Sequence, residues 1–291
     1  MPAVAIAPLF VVMWSTGFIG AKLGLPYAEP MSFLSLRFAL TAAALALWVQ
    51  IARAPWPSWR QAGDAALIGV LVHGVYLGGV FQAIAWGTEA GVSALIVGLQ
   101  PIVTAAIAVR LLGERLSGVQ RIGMLLGLLG VALVVARKLE AGIGDMAGVA
   151  LCVLSLVAIS TASILQKTRA AKTPMRSGNL IQFASAMLAT AALALVIETG
   201  EIQWTGPFLF ALFWLVIVLS LGAIMLYYLL IERGAASNVA SLFFLVPPST
   251  AVIAWFLFDE RLGPVEIAGM AVAALGVMMV NRAELFQRRG R

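Results

Sequence analysis

Charge is scarce in this sequence, and its scarcity excludes most of what a chain of 291 residues could be. Asp, Glu, Lys and Arg together make up 11% of it, against 62% hydrophobic residues, and mean hydropathy is +1.01. Soluble domains are roughly a quarter charged and half apolar, so the chain is not one of them. There is one histidine, His73, and one cysteine, Cys152, deep in an apolar run. An internal disulfide is therefore impossible, and neither residue has partners in number for a structural zinc site. The first apolar run has no basic segment or small-residue cleavage site around it, so it reads as a retained helix and not as a removable signal. No stretch between apolar runs is long enough for an extramembrane domain. The longest connections are "ARAPWPSWRQAG" and "KTRAAKTPMRSG".

What is present is a succession of apolar runs of about 20 residues, the length a helix needs to cross a bilayer's hydrocarbon. They span Ala3 to Ala21, Ser32 to Ile51, Asp64 to Gly87, Val92 to Leu112, Gly118 to Ala136, Met146 to Gln166, Gly178 to Ile197, Phe208 to Ile231, Ser237 to Leu257 and Gly263 to Val280. The runs are apolar on nearly every side, whereas barrel strands would alternate. The sequence thus predicts an all-α integral membrane protein of ten transmembrane helices. Alternating the runs places fourteen of the nineteen Lys and Arg on one side and four (Lys22, Arg137, Lys138, Arg261) on the other, with Arg37 inside a helix. The positive-inside rule then puts both termini in the cytoplasm, and the net charge of +6 reflects topology, not nucleic-acid binding.

The chain also repeats itself. "LGERLSGVQRIG" (112–123) returns as "FDERLGPVEIAG" (258–269), and Pro101/Pro247, Glu114/Glu260 and Gly130/Gly276 agree at one offset of 146 residues. Lys22/Lys167, Ser32/Ser177 and Phe38/Phe183 agree more weakly at an offset one smaller. Two five-helix units follow, residues 1–138 and 139–291. Because five is odd, the second enters the membrane from the opposite face, an inverted repeat of the kind secondary transporters use to open one central site alternately to each side.

The residues that carry this pattern also resemble a known family. "MWSTGFIGAKLGL", "FLSLRFALTAAALAL", "GVSALIVGLQPIVTAAIAVRLLGERLSGVQRIGMLLGLLGVALV" and its counterpart ending "FDERLGPVEIAGMAVAALGVMMV" are similar to the drug/metabolite transporter superfamily, EamA type. Within it the chain most resembles the YddG-type exporters of aromatic and other amino acids. The resemblance implies ten helices in two inverted halves, a bacterial inner-membrane location, no cofactor, and a central cavity walled by helices 1, 3, 4, 6, 8 and 9.

No acidic residue falls inside a predicted run except at its ends, so a midplane carboxylate, the usual means of exchanging protons for cationic drugs, is not expected. Neutral or zwitterionic cargo follows, amino acids foremost. The polar and aromatic groups left near the middle make the candidate substrate site: Trp14, His73, Tyr76, Gln100, Ser163, Tyr227, Phe243 and Phe244. His73 and Tyr76, three apart, share a helical face. Each has a plainer reading as packing or as a hydrogen bond between helices. Glu114, Arg115, Glu260 and Arg261 mark helix ends and suit structural or gating pairs. Arg37, about two turns inside the second helix, either snorkels outward or pairs with Glu29. "GMLLG" from Gly123 and "GMAVA" from Gly269 are small-residue patterns for close helix contact.

Enzyme chemistry finds no support. "GIGD" (142–145) lacks the second acid an intramembrane aspartyl protease needs, and His73 lacks zinc or serine partners. No metal or cofactor is expected, and the partners are a small-molecule substrate and the bilayer. The alternatives to an amino-acid exporter are a drug or nucleotide-sugar-type exchanger and a gated channel.

Overall fold

The computed structural model describes residues 3–113, 116–140, 146–223, 226, 243–260 and 263–289. These are helical almost throughout: α1 (Ala3–Gly24), α2 (Pro30–Ile51), α3 (Trp59–Ala85), α4 (Ala90–Leu111), α5 (Gly118–Glu140), α6 (Met146–Thr168), α7 (Met175–Ile197), α8 (Gly206–Ala223), α9 (Val246–Phe258) and α10 (Pro264–Arg289). Among the described residues seven of these, α2 to α8, are long and apolar enough to cross a membrane, and α1, α9 and α10 carry shorter apolar stretches. The protein is a multi-pass, all-helical membrane protein.

Local chemistry sets where the helices begin. Pro30 opens α2, where its missing N–H costs nothing. Helix α3 starts at Trp59, earlier than hydropathy predicts, because Ser58 and Gln61 form a reciprocal capping box ahead of the apolar run. Two carboxylates bond across the fold, one of them as a helix cap. The carboxylate of Glu198, after α7, accepts from the Met31 and Ser32 amides at 2.7 Å each and from the Ser32 hydroxyl, closing the N-terminus of α2. Glu29 accepts from the Thr199 amide and hydroxyl and from the Gly200 amide at 2.8–2.9 Å. Its carboxyl is held below the ordinary carboxylate range, chiefly by the Thr199 hydroxyl.

Several backbone features recur at the repeat's spacing. Helix α4 breaks at Gly98–Leu99 and restarts at Gln100 ahead of Pro101, and α9 starts at the equivalent Val246 ahead of Pro247 after a 3-10 turn at Phe243–Leu245. Gly113 (φ 67°) and its counterpart Asp259 (φ 54°) both end their helices in the left-handed conformation. A widened π-helical stretch occupies Val70–Leu77 in α3 and Trp214–Ala223 in α8. Hydropathy could not have announced these stretches, since widening a helix changes its hydrogen bonds and not its apolar content.

The tightest helix pair is α5 with α10. A Cβ added at Gly130 would lie 2.4 Å from the Gly269 carbonyl oxygen, one at Gly123 2.6 Å from that of Gly276, and one at Gly276 2.5 Å from that of Gly123. Seven residues forward along α5 correspond to seven backward along α10, so the two helices run antiparallel. The contacts are also reciprocal, because Gly123 is the counterpart of Gly269 and Gly130 of Gly276 at the offset of 146. The small-residue patterns noted in the sequence are thus contact surfaces. Helix α2 packs mainly on α7, and a core of Phe18, Phe33, Phe38, Phe81, Phe183 and Phe208 fills the space among α1, α2, α3, α7 and α8.

Gly130→Leu or Gly276→Leu forces backbone against side chain with nothing flexible to yield, an overpacking cost of about 1–3 kcal/mol or more. In detergent each is expected to lower the melting temperature by several degrees, while Gly63→Ala, with open space around it, leaves it unchanged; equal melting of all three would show that α5 and α10 do not meet at these glycines.

Candidate functional site

The described candidate substrate residues and Arg37 fall into three clusters inside this bundle. The first surrounds Arg37 on α2. Its side chain is 3% exposed, and Nε and Nη2 donate to the Ser220 hydroxyl of α8 at 3.3 and 3.1 Å. Ser220 in turn donates to the Leu215 carbonyl five residues back at 2.9 Å, a bond that follows the π-helical pitch of this stretch. Arg37 Nη1 is buried with no acceptor among the described residues. Neither expectation for this residue holds. It does not snorkel, and Glu29 is occupied by Thr199 and Gly200.

His73 and Tyr76 lie on the π-helical part of α3 and within electrostatic reach of Arg37. The His73 ring stacks on Phe183 of α7 at 4.1 Å and leans on Phe38 of α2 at 5.6 Å, and its Nδ1 is buried without a partner among the described residues. Tyr76 is buried in the aromatic core.

The second cluster is aromatic. Trp14 of α1 meets the Phe243 ring edge-on at 5.0 Å, and Phe10 meets both, at 5.4 Å each. The third joins α4 to α6. Gln100 Nε2 donates to the Ser163 hydroxyl at 2.8 Å, Ser163 donates to the Ile159 carbonyl, and the Ser160 hydroxyl donates to the Gln100 carbonyl at 3.4 Å. Gln100 and Ser163 were expected to share a site, and they touch. Tyr227, Glu114, Arg115 and Arg261, with the side chain of Phe244, lie outside the described residues.

At one end of the bundle Glu260, 6% exposed, closes a fourth polar contact. Its carboxylate pairs with Lys22 Nζ at the end of α1 and accepts from the Ala90 and Gly91 amides at 3.1 and 3.3 Å, capping α4. One carboxylate thereby ties α1, α4 and α9. Lys22 also sits over the Phe258 ring at 4.8 Å. The sequence marked Glu260 but not Lys22 as its partner, 238 residues away. Ser220 was missed as well, and the Arg within an apolar run was the only signal that such a partner existed.

A crevice of about 620 Å³ opens among the start of α2, helix α3, α6 and the end of α7. Gly74, Gly78, Gln82, Leu151, Thr190 and Leu193 are among its lining residues, and none of the described candidate substrate residues is. Among the described residues no His, Cys, Asp and Glu group could hold a metal ion.

The model of the EamA-like transporter family matches the chain twice, over residues 1–136 and 146–282. The chain belongs to the EamA-like transporter family. It is a transporter and not an enzyme. Relatives align over nearly their whole length. A transporter of Bacillus subtilis (strain 168), described as uncharacterized, is 27% identical over 96% of this chain and 91% of its own. A probable terminal-alkyne amino-acid exporter of Streptantibioticus cattleyicolor is 26% identical over 97% and 94%. A probable amino-acid metabolite efflux pump of Escherichia coli (strain K12) is 25% identical over 94% and 92%. A solved crystal structure shares the fold with a TM-score of 0.66 at 20% identity, over 98% of this chain and 96% of that one.

If Gln100 and Tyr76 line the path of a transported molecule, Gln100→Ala and Tyr76→Phe should each raise the apparent KM several-fold in reconstituted protein while leaving its gel-filtration profile intact. Unaltered transport by both would assign them to packing.

Proposed function

We propose that this protein is an inner-membrane carrier of ten helices in two inverted halves, 1–138 and 139–291, with both termini cytoplasmic, and that it exports small amphipathic metabolites, amino acids foremost, by alternating access. The observation that carries the cargo is the agreement between relatives named as amino-acid exporters or efflux pumps and a bundle in which the carboxylates of Glu29, Glu198 and Glu260 all lie next to helix ends and are engaged by backbone amides. With no acid among them to take up a cationic drug or shuttle its proton, a molecule of no net charge suits the interior best.

Four features support the two-halves reading. The family model matches twice, the π-helical stretches and left-handed helix ends recur at equivalent places, and the α5–α10 glycine contacts are reciprocal. The loops also gather by parity. Lys22, Glu29, Ala90, Thr199 and Glu260 share contacts at one end, whereas Ser177 bonds to the Pro55 carbonyl, Gln61 to that of Lys172, and Arg169 pairs with Asp64 at the other. Alternate passage of successive helices gives this sorting, and the positive-inside rule assigns the Arg169 end to the cytoplasm.

On this reading Glu260 with Lys22 is an outer latch, since it draws together three of the helices expected to wall the central cavity. Trp14, Gln100 and Ser163 lie on the same helices or their neighbour α6, and the break of α4 before Pro101 gives its two segments independent directions.

Reconstituted protein loaded with radiolabelled neutral amino acids should release at least one of them down its gradient, with little dependence on an imposed pH difference. No flux of any amino acid would overturn the cargo, and steep pH dependence would overturn uncoupled export. The latch is checked separately. In a Cys152→Ala background carrying Ser93→Cys, Glu260→Ala should raise external labelling by an impermeant maleimide several-fold, and unchanged labelling would remove Glu260 from the gate.

A further inference from the structure

We infer that the end-on edge of the Arg37 guanidinium is the docking point for a carboxylate of the transported molecule, an inference that rests on the cargo proposed above. The geometry divides the guanidinium in two. Nε and Nη2 are taken by one hydroxyl, that of Ser220, whose own hydrogen is committed to the Leu215 carbonyl. Ser220 therefore holds the side chain in place but brings no negative charge. Nη1 is buried and has no acceptor among the described residues. A planar fork with one edge anchored and the other vacant is pre-oriented for a carboxylate, which takes two parallel N–H bonds from that end.

The charge balance points the same way. Arg37 lies about two turns inside α2, where a bare cation is costly, and among the described residues no carboxylate lies within ion-pair distance of it. The two carboxylates at the start of α2 are engaged elsewhere: Glu29 holds Thr199 and Gly200, and Glu198 caps α2 through Met31 and Ser32. A resident counterion would neutralise the cation permanently. Leaving that edge unpaired lets the compensating charge arrive with the cargo, so that binding removes a burial cost the empty protein bears. The surroundings suit the rest of an amino acid. The unpartnered Nδ1 of His73 and the Tyr76 ring lie within electrostatic reach of Arg37, and Phe38 and Phe183 supply apolar surface beside them. The same contacts place the site between α2, α3 and α8. Both α3 and α8 are π-helical there, so a change in either turn would move the two walls relative to the guanidinium.

The test uses the full chain in detergent and in proteoliposomes, with phenylalanine, phenylalanine amide, phenethylamine and 3-phenylpropionate as probes. On the wild type, ligand-induced thermal stabilisation should show 3-phenylpropionate and phenylalanine binding at least about tenfold more tightly than phenethylamine or the amide, a difference of about 1.4 kcal/mol. Arg37→Gln should abolish that preference by weakening the two carboxylates while leaving phenethylamine unchanged. Arg37→Lys should restore part of it. Ser220→Ala, which loosens the anchor but keeps the charge, should weaken the carboxylates by a few-fold. Equal binding of carboxylate and non-carboxylate probes to the wild type, or an undiminished preference in a folded Arg37→Gln protein, would overturn the inference. The wild-type comparison needs no variant, so it decides the matter even if Arg37→Gln does not fold. Failure of the cargo reading is distinguishable: proteoliposomes would then release no amino acid even where 3-phenylpropionate still binds through Arg37.

Discussion

Hydrocarbon offers no hydrogen bonds, and that one constraint shapes this protein more than any other. Each helix end and each polar side chain within the bundle must find its partner in the protein itself. The end of the molecule that holds Lys22 and Glu260 shows how this is done with few charges. Glu198 satisfies two amides and a hydroxyl at the start of α2, Glu260 satisfies two amides at the start of α4 and a lysine at the end of α1, and Glu29 ties the α1–α2 loop to the segment after α7. All three carboxylates act on distant parts of the chain, two of them as helix caps. A carboxylate at a helix N-terminus faces unpaired N–H groups and the positive end of the helix dipole, so it serves two purposes with one charge. The acids are consequently few, located at helix ends, and already occupied.

The same constraint explains what could be read from the sequence. Run length and apolarity follow directly from the bilayer's thickness, so most helices were legible to within a few residues, and the glycines at 123, 130, 269 and 276 were legible as contact surfaces because only small residues allow backbones to approach so closely. The start of α3 at Trp59 was not, because its cap is a local hydrogen-bond pattern in a polar stretch that hydropathy ignores. The π-helical turns were hidden for a related reason: they exchange one hydrogen-bonding pattern for another among the same apolar residues.

The candidate site was legible in its parts but not in its pairings. Gln100 and Ser163 stood out as polar residues at helical depth, as did Trp14 and Phe243 as aromatic ones, and both pairs meet. Partnerships between residues far apart depend on how helices cross, which no single-sequence periodicity encodes. Lys22 with Glu260 and Arg37 with Ser220 are of this kind. Arg37 was conspicuous as a cation in an apolar run, yet the rule that such a residue escapes to the interface or finds an acid gave the wrong environment. It stays buried, and its partner is a hydroxyl.

That exception bears on selectivity. A transporter of cationic drugs keeps an acid in its interior, because the drug's charge must be compensated where solvent cannot reach. Here the interior cation lies beside His73 and Tyr76 with no acid paired to it among the described residues. A positively charged guest would be repelled at that point, a neutral amine would gain nothing from it, and a molecule carrying a carboxylate would be drawn to it. A zwitterion meets both conditions, since it presents a carboxylate while adding no net charge to the bundle. Discrimination would then come less from a shaped pocket than from the sign of a single buried charge that the chain leaves uncompensated.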